Sequence, residues 1–137
     1  MAAPTKRISL RWRHGMAFEG GPEGKPSIAV DADGKTGPGP MDTLLVALAA
    51  CTASDVVSIL GKMRLEVEAM TVDAVGERRQ DHPKRYTAIV LTYRIRAPGA
   101  SEERVRHAID LSLGKYCSVT HSLAADIARR YELVLEA

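Results

Sequence analysis

Between Thr36 and Gly61 the chain carries no lysine or arginine, and most of this stretch is apolar: "LLVALAACTASDVVSIL". Leu44, Leu45, Leu48, Cys51, Ala53, Val57 and Leu60 recur at helical spacing, which predicts one helix over 41–64. A helix that is apolar over most of its circumference has to be surrounded on most sides. A domain of 137 residues has little material with which to do so. The expectation is a single domain, 1–137, built around a central helix that a second copy of the chain helps to bury.

The flanking segments read as strands and shorter helices. "RISLRWRHGMAFEG" alternates Ile8, Leu10 and Trp12 with polar residues, and "SIAVDA" returns after the turn "GGPEGKP", giving an N-terminal hairpin over 5–33. Residues 65–97 predict a second hairpin around "QDHPK", with a bulge expected near Ala69–Met70, where the apolar parity switches. Helices are expected over 101–130: one opened by Ser101 and stopped at Gly114, the other capped by Ser118 or Thr120 and running through "SVTHSLAADIARR". A strand over 131–136 closes the chain. The order β-β-α-β-β-α-α-β predicts an α+β fold with an antiparallel sheet.

Composition narrows the function. The net charge of +2 comes from interspersed residues of both signs, so no basic patch points to nucleic acid. The longest unbroken apolar run, "LLVALAAC", is too short to predict a membrane span, and the N-terminus lacks the apolar core of a secretory signal. A cytoplasmic, reducing location is therefore expected, where a catalytic disulfide is more plausible than a structural one. His14, His82, His107 and His121 share no ligand spacing, so no metal and no bound cofactor are expected. No hydrolase nucleophile motif is present.

Two cysteines remain, Cys51 in the apolar helix and Cys117 in "KYCSV". They are not a CxxC pair, and the residues alone leave packed thiols and a redox site both open. An apolar mid-helix position disfavours a thiolate at Cys51, and Asp55, four residues on, shares its face. An arginine between Asp55 and Cys51 would meet both difficulties; the alternative is that Asp55 is a solvated helix residue. Cys117, at the predicted start of the last helix, is expected to have its thiol pKa lowered there.

"GPGPMDTLLVALAACTASDVVSIL", "GERRQDHP" before a strand and "AIDLSLGKYCSV" together resemble the OsmC/Ohr superfamily of thiol-dependent peroxide reductases, in the OsmC-like branch typified by YhfA. The resemblance runs from about Phe18 to the C-terminus. It implies an intertwined homodimer with two sheets around two central helices and active sites at the subunit interface. It further implies that Cys51 attacks a small-molecule peroxide, an organic hydroperoxide foremost and hydrogen peroxide as the other candidate, and becomes a sulfenic acid. Cys117 then resolves it as a disulfide, and an external thiol, a dihydrolipoyl group in Ohr relatives, restores both. The Ohr pattern has a glutamate where Met41 stands and an arginine in the hairpin turn, where "GGPEGK" has none. Arg78 or Arg79 is the expected substitute, oriented by Asp55. The alternative function is a dimer that binds a small hydrophobic or electrophilic ligand in the same pocket without turnover.

Overall fold

Gly15 adopts φ +52°, a conformation that costs glycine little, and it folds the N-terminal segment back on itself. The computed structural model describes residues 2–137. These form two compact units divided after Leu44. In the first unit, the predicted long strand is two strands, β1 (Ser9–His14) and β2 (Ala17–Gly21), with β3 (Ile28–Asp31) pairing antiparallel beyond β2. The expected hairpin is thus a three-stranded meander, irregular between Trp12 and His14, where the Trp12 indole donates to the Gly15 carbonyl at 2.8 Å. Asp31 organises the following loop. Its carboxylate accepts from the backbone N–H groups of Asp33, Lys35 and Thr36 and from the Thr36 hydroxyl, and these bonds, Thr36 N–H foremost, lower its pKa.

Helix α1 spans Pro40–Lys62, close to the predicted 41–64. It ends because Arg64 takes φ +63° and Leu65 N–H returns to the Leu60 carbonyl at 2.9 Å, a left-handed cap. Its first turn falls in the first unit; the rest, from Leu45, belongs to the second. Leu48, Thr52, Val56 and Leu60 form its buried stripe, whereas Val46 and Val57 stay exposed. An 18-residue stretch of α1 has a mean hydropathy of 2.0 with 22% buried, so by length and composition it could cross a membrane. Counting unbroken apolar residues missed this, because Thr52, Ser54 and Asp55 interrupt the run.

The second unit's sheet has the order β4–β5–β6, from Ala69–Arg78, Tyr86–Arg96 and Ala128–Glu136. β4 and β5 pair antiparallel as expected, but the irregularity lies at Glu77/Arg78, not at Ala69–Met70. β6 runs parallel to β5, so the sheet is mixed and not antiparallel throughout. A parallel neighbour requires a crossover, which α2 (Glu102–Leu111), a π-helical turn (Ser112–Tyr116) and the short α3 (Ser118–Ser122) supply. Ser101 caps α2 as predicted, its hydroxyl accepting from Arg104 N–H. Gly114 does not stop the helix; it lies within the π turn, and the chain leaves at Cys117.

The predicted helix through residue 130 ends at Ser122. Leu123 is extended, the Arg129 guanidinium binds the carbonyls of Thr120 and Ala124, and Ala128–Arg130 join the ladder with Ala88–Val90. Ladder pairing overrides the helix propensity of "LAADIARR". Val56, Leu60, Tyr93, Ile95, Val105 and Ile109 are wholly buried and tie α1, β5 and α2 into one core.

The Tyr86 ring lies across Gly76 beside the β4 irregularity, where a Cβ would overlap the ring. Gly76→Ala is expected to destabilise the fold by about 1–3 kcal/mol in urea unfolding. Combining it with Tyr86→Leu should recover part of the loss. An unchanged midpoint in Gly76→Ala would contradict the packing described.

Candidate active site

The 3.6-residue period of α1 places Cys51 and Asp55 one turn apart on a face beside the buried stripe, both half-buried. The crossover brings the second half of the site. In the π turn, Cys117 N–H bonds the Ser112 carbonyl at 2.7 Å, five residues back, and this wider turn closes the segment carrying both side chains. Cys51 Sγ, Cys117 Sγ and an Asp55 carboxylate oxygen lie within 4.8 Å of one another. Residues 66 positions apart in sequence thus share one small space, and both thiols are free.

Cys117 is wholly buried. Neither Ser118 nor Thr120 caps α3; the Cys117 sulfur does, accepting from Thr120 N–H at 3.5 Å. The expected lowering of its pKa is reversed. Burial pushes the Cys117 thiol up to about 11; the Thr120 N–H opposes this, while Cys51 and the Asp55 charge add to the rise. Desolvation of the whole thiol outweighs one amide dipole. Among the described residues no ion pair or hydrogen bond joins Asp55 to Arg78 or Arg79. Arg78 sits at the exposed end of β4 with its Nε donating to the Lys84 carbonyl at 2.7 Å. It is six residues, about 20 Å of extended strand, beyond Val72, the β4 residue that lines a groove together with Ala50 and Ala53 of α1. His121 is exposed, its backbone N–H bonded to the Cys117 carbonyl.

Asp55 has a different partner: the Ser112 hydroxyl donates to Asp55 Oδ2 at 2.9 Å. Ser112 Oγ also meets Thr52 Oγ1 at 2.8 Å, and Thr52 Oγ1 meets the Tyr93 hydroxyl at 2.8 Å. Ser112, Thr52 and Tyr93 are all completely buried, and burial pushes the Tyr93 phenol up to about 12. Sequence reasoning passed over these three hydroxyls. The available signal was a polar residue, Thr52, inside the apolar stripe of α1, since buried polar groups are the informative ones. Two thiols and a carboxylate at this spacing can exchange protons and form a disulfide, and they are also the one set among the described residues spaced to ligate a thiophilic cation.

The sequence model of the family described as OsmC-like protein matches residues 32–132. Protein YhfA of Escherichia coli (strain K12) is 37% identical over 128 residues, covering 91% of this chain and 96% of YhfA. The crystal structure of a protein from Aquifex aeolicus VF5 superposes with a TM-score of 0.87 at 28% identity, covering 98% of each chain. That of the organic hydroperoxide resistance protein OhrB of Bacillus subtilis superposes with a TM-score of 0.63 at 16% identity, covering 97% of this chain and 100% of OhrB.

The Cys117 pKa links the site to stability. Unfolded, this thiol ionises near its ordinary value; folded, it holds its proton to about 11. Between these values the unfolded chain binds fewer protons, so stability falls as pH rises through that window. Urea unfolding of wild type from pH 8 to 11 is expected to show this loss, and Cys117→Ala to show a shallower one. Parallel slopes would contradict the assignment.

Proposed function

We propose, from the premise that this chain belongs to the OsmC-like family, that it is a thiol-dependent peroxidase acting on organic hydroperoxides through Cys51 and Cys117. The observation that carries this reading is the meeting of both sulfurs and the Asp55 carboxylate within 4.8 Å. A disulfide needs its sulfurs about 2.05 Å apart, so the pair has less than about 3 Å to close. The substrate class comes from the family, in which a fold relative is named for organic hydroperoxide resistance.

In this mechanism the Cys51 thiolate attacks the terminal, hydrogen-bearing oxygen of ROOH. The O–O bond breaks, RO⁻ leaves and takes a proton to become the alcohol, and Cys51 becomes a sulfenic acid. Cys117 sulfur attacks Cys51 sulfur, the S–O bond breaks, and water departs. An external dithiol, for which a dihydrolipoyl group is the proposed example, then reduces the disulfide and is itself oxidised. Half-buried Cys51 suits the first role, since it is the sulfur a substrate can reach, and buried Cys117 suits the second. A reducing compartment such as the cytoplasm fits this cycle.

The reading includes a homodimer. Val46, Ala50, Ala53 and Val57 of α1 form, with Met70 and Val72 of β4, an open apolar groove of about 790 Å³ that a second copy would cover. Arg78 or Arg79 of that second copy is the proposed cation for Cys51. The same exposed apolar groove favours a second reading, in which the dimer binds a hydrophobic or electrophilic small molecule without turnover.

Loss of tert-butyl hydroperoxide in the presence of reduced lipoamide separates the two. Cys51→Ser is expected to reduce turnover to background, and Cys117→Ser to leave a Cys51 sulfenic acid that dimedone traps. Equal peroxide consumption by wild type and Cys51→Ser defeats the enzyme reading. Arg78→Ala or Arg79→Ala is expected to lower kcat/KM at least about tenfold, the worth of one charge-assisted contact; full turnover in both removes the arginines from the mechanism.

A further inference from the structure

The hydroxyls behind Asp55 have only one consistent order. Each carries a single proton. Ser112 spends its proton on Asp55 Oδ2, a carboxylate oxygen that can only accept, so the Thr52–Ser112 contact is filled by the Thr52 proton. Thr52 then has none left for Tyr93, so the Tyr93 phenol donates to Thr52. Three protons therefore run one way, Tyr93 to Thr52 to Ser112 to Asp55, and no buried side-chain nitrogen or oxygen among the described residues is left unpaired. Aligned bonds of this kind polarise one another. They fix the position of a carboxylate beside two sulfurs.

The step that needs such a group is the closure of the disulfide. Burial raises the Cys117 pKa, so at pH 7 this residue is held as the thiol. A nearby negative charge makes a free thiolate rarer still, whereas a base that takes the proton as the S–S bond forms bypasses it.

Building on the peroxidase reading, we infer that Asp55 is the general base for disulfide closure by Cys117, and that Tyr93, Thr52 and Ser112 are positioning residues that hold its carboxylate beside the sulfurs. The Asp55 carboxylate takes the Cys117 thiol proton as Cys117 sulfur bonds to Cys51 sulfur. The S–OH bond of the sulfenic acid breaks, and Asp55 passes the proton to the departing hydroxide. Thiol and sulfenic acid become disulfide and water, and the carboxylate is regenerated.

A base and a mere charge predict opposite results. Removing only a negative charge with Asp55→Asn would ease ionisation of Cys117 and speed closure; removing a base slows it. Closure can be timed after one equivalent of tert-butyl hydroperoxide, with dimedone trapping of sulfenic acid and mass spectrometry of the disulfide. It can also be timed without peroxide: 5,5′-dithiobis(2-nitrobenzoate) forms a mixed disulfide at Cys51, and attack by Cys117 releases a second thionitrobenzoate, the proton again leaving through Asp55. The expected result is that Asp55→Asn slows closure about 100-fold or more at pH 7 by both routes. The deficit should shrink as pH rises toward 11, where the thiolate forms without help. Thr52→Val is expected to slow closure about tenfold, and Thr52→Ser, which keeps the hydroxyl, to stay near wild type. Closure in Asp55→Asn that matches or exceeds wild type, or a deficit independent of pH, overturns the inference. If peroxide yields neither sulfenic acid nor disulfide in wild type while the second release still depends on Asp55, the peroxidase reading falls and this inference stands.

Discussion

A single threonine holds the second unit's chemistry together. Thr52 projects from the buried face of α1 and bonds to β5 through Tyr93 and to the π turn through Ser112. These two bonds fix the rotation of α1 against the sheet and against the crossover. Rotation by one residue would carry Cys51 and Asp55 some 100° away from Cys117. Apolar packing of Val56 and Leu60 supplies stability, but it is non-directional and does not choose that angle. The polar contact does, and buried polar contacts of this kind commonly specify one arrangement among several of similar burial.

The electrostatics are unusual for a reactive-thiol site. Cysteines activated for chemistry ordinarily sit near a cation or at a favourable helix end. Here the group placed beside the two sulfurs is an anion, and burial raises the Cys117 pKa further. The two thiols are thereby divided in character: one half-buried, the other wholly buried with its thiol pKa raised. In the proposed cycle such a division suits ordered chemistry, because the buried sulfur would not compete with the half-buried one for peroxide.

Much of this architecture could be read from the residues. The cation-free apolar stretch gave α1 to within two residues at its C-terminal end, and the β-branched run of Tyr86–Arg96 gave β5. The pairing of Cys51 with Cys117 came from the family resemblance, since 66 residues of separation hide it from any local pattern. What escaped has identifiable causes. Gly15 split one alternating run into two strands without altering its alternation. Ser112 looked like an ordinary helix residue because a π turn has no periodic signature before the chain is folded. The segment after Ser122 has good helix formers, and only its pairing with Ala88–Val90 shows why it is extended. Arg129, which reads as a charged surface residue, caps the carbonyls that the shortened helix leaves open.

The parallel pairing of β6 with β5 also bears on how the site comes into being. Ser112 and Cys117 ride on the crossover, and that crossover is pinned at its far end only when Ala128–Glu136 has joined the sheet. The chain emerges from synthesis with Cys51 long before that final strand exists. Assembly of the cysteine pair is thus tied to the docking of β6, so a chain lacking that strand would carry Cys51 on an apolar helix with Cys117 not held beside it. The pairing of β6 with β5 is thus a condition for the meeting of the two sulfurs, although no residue of β6 belongs to the site.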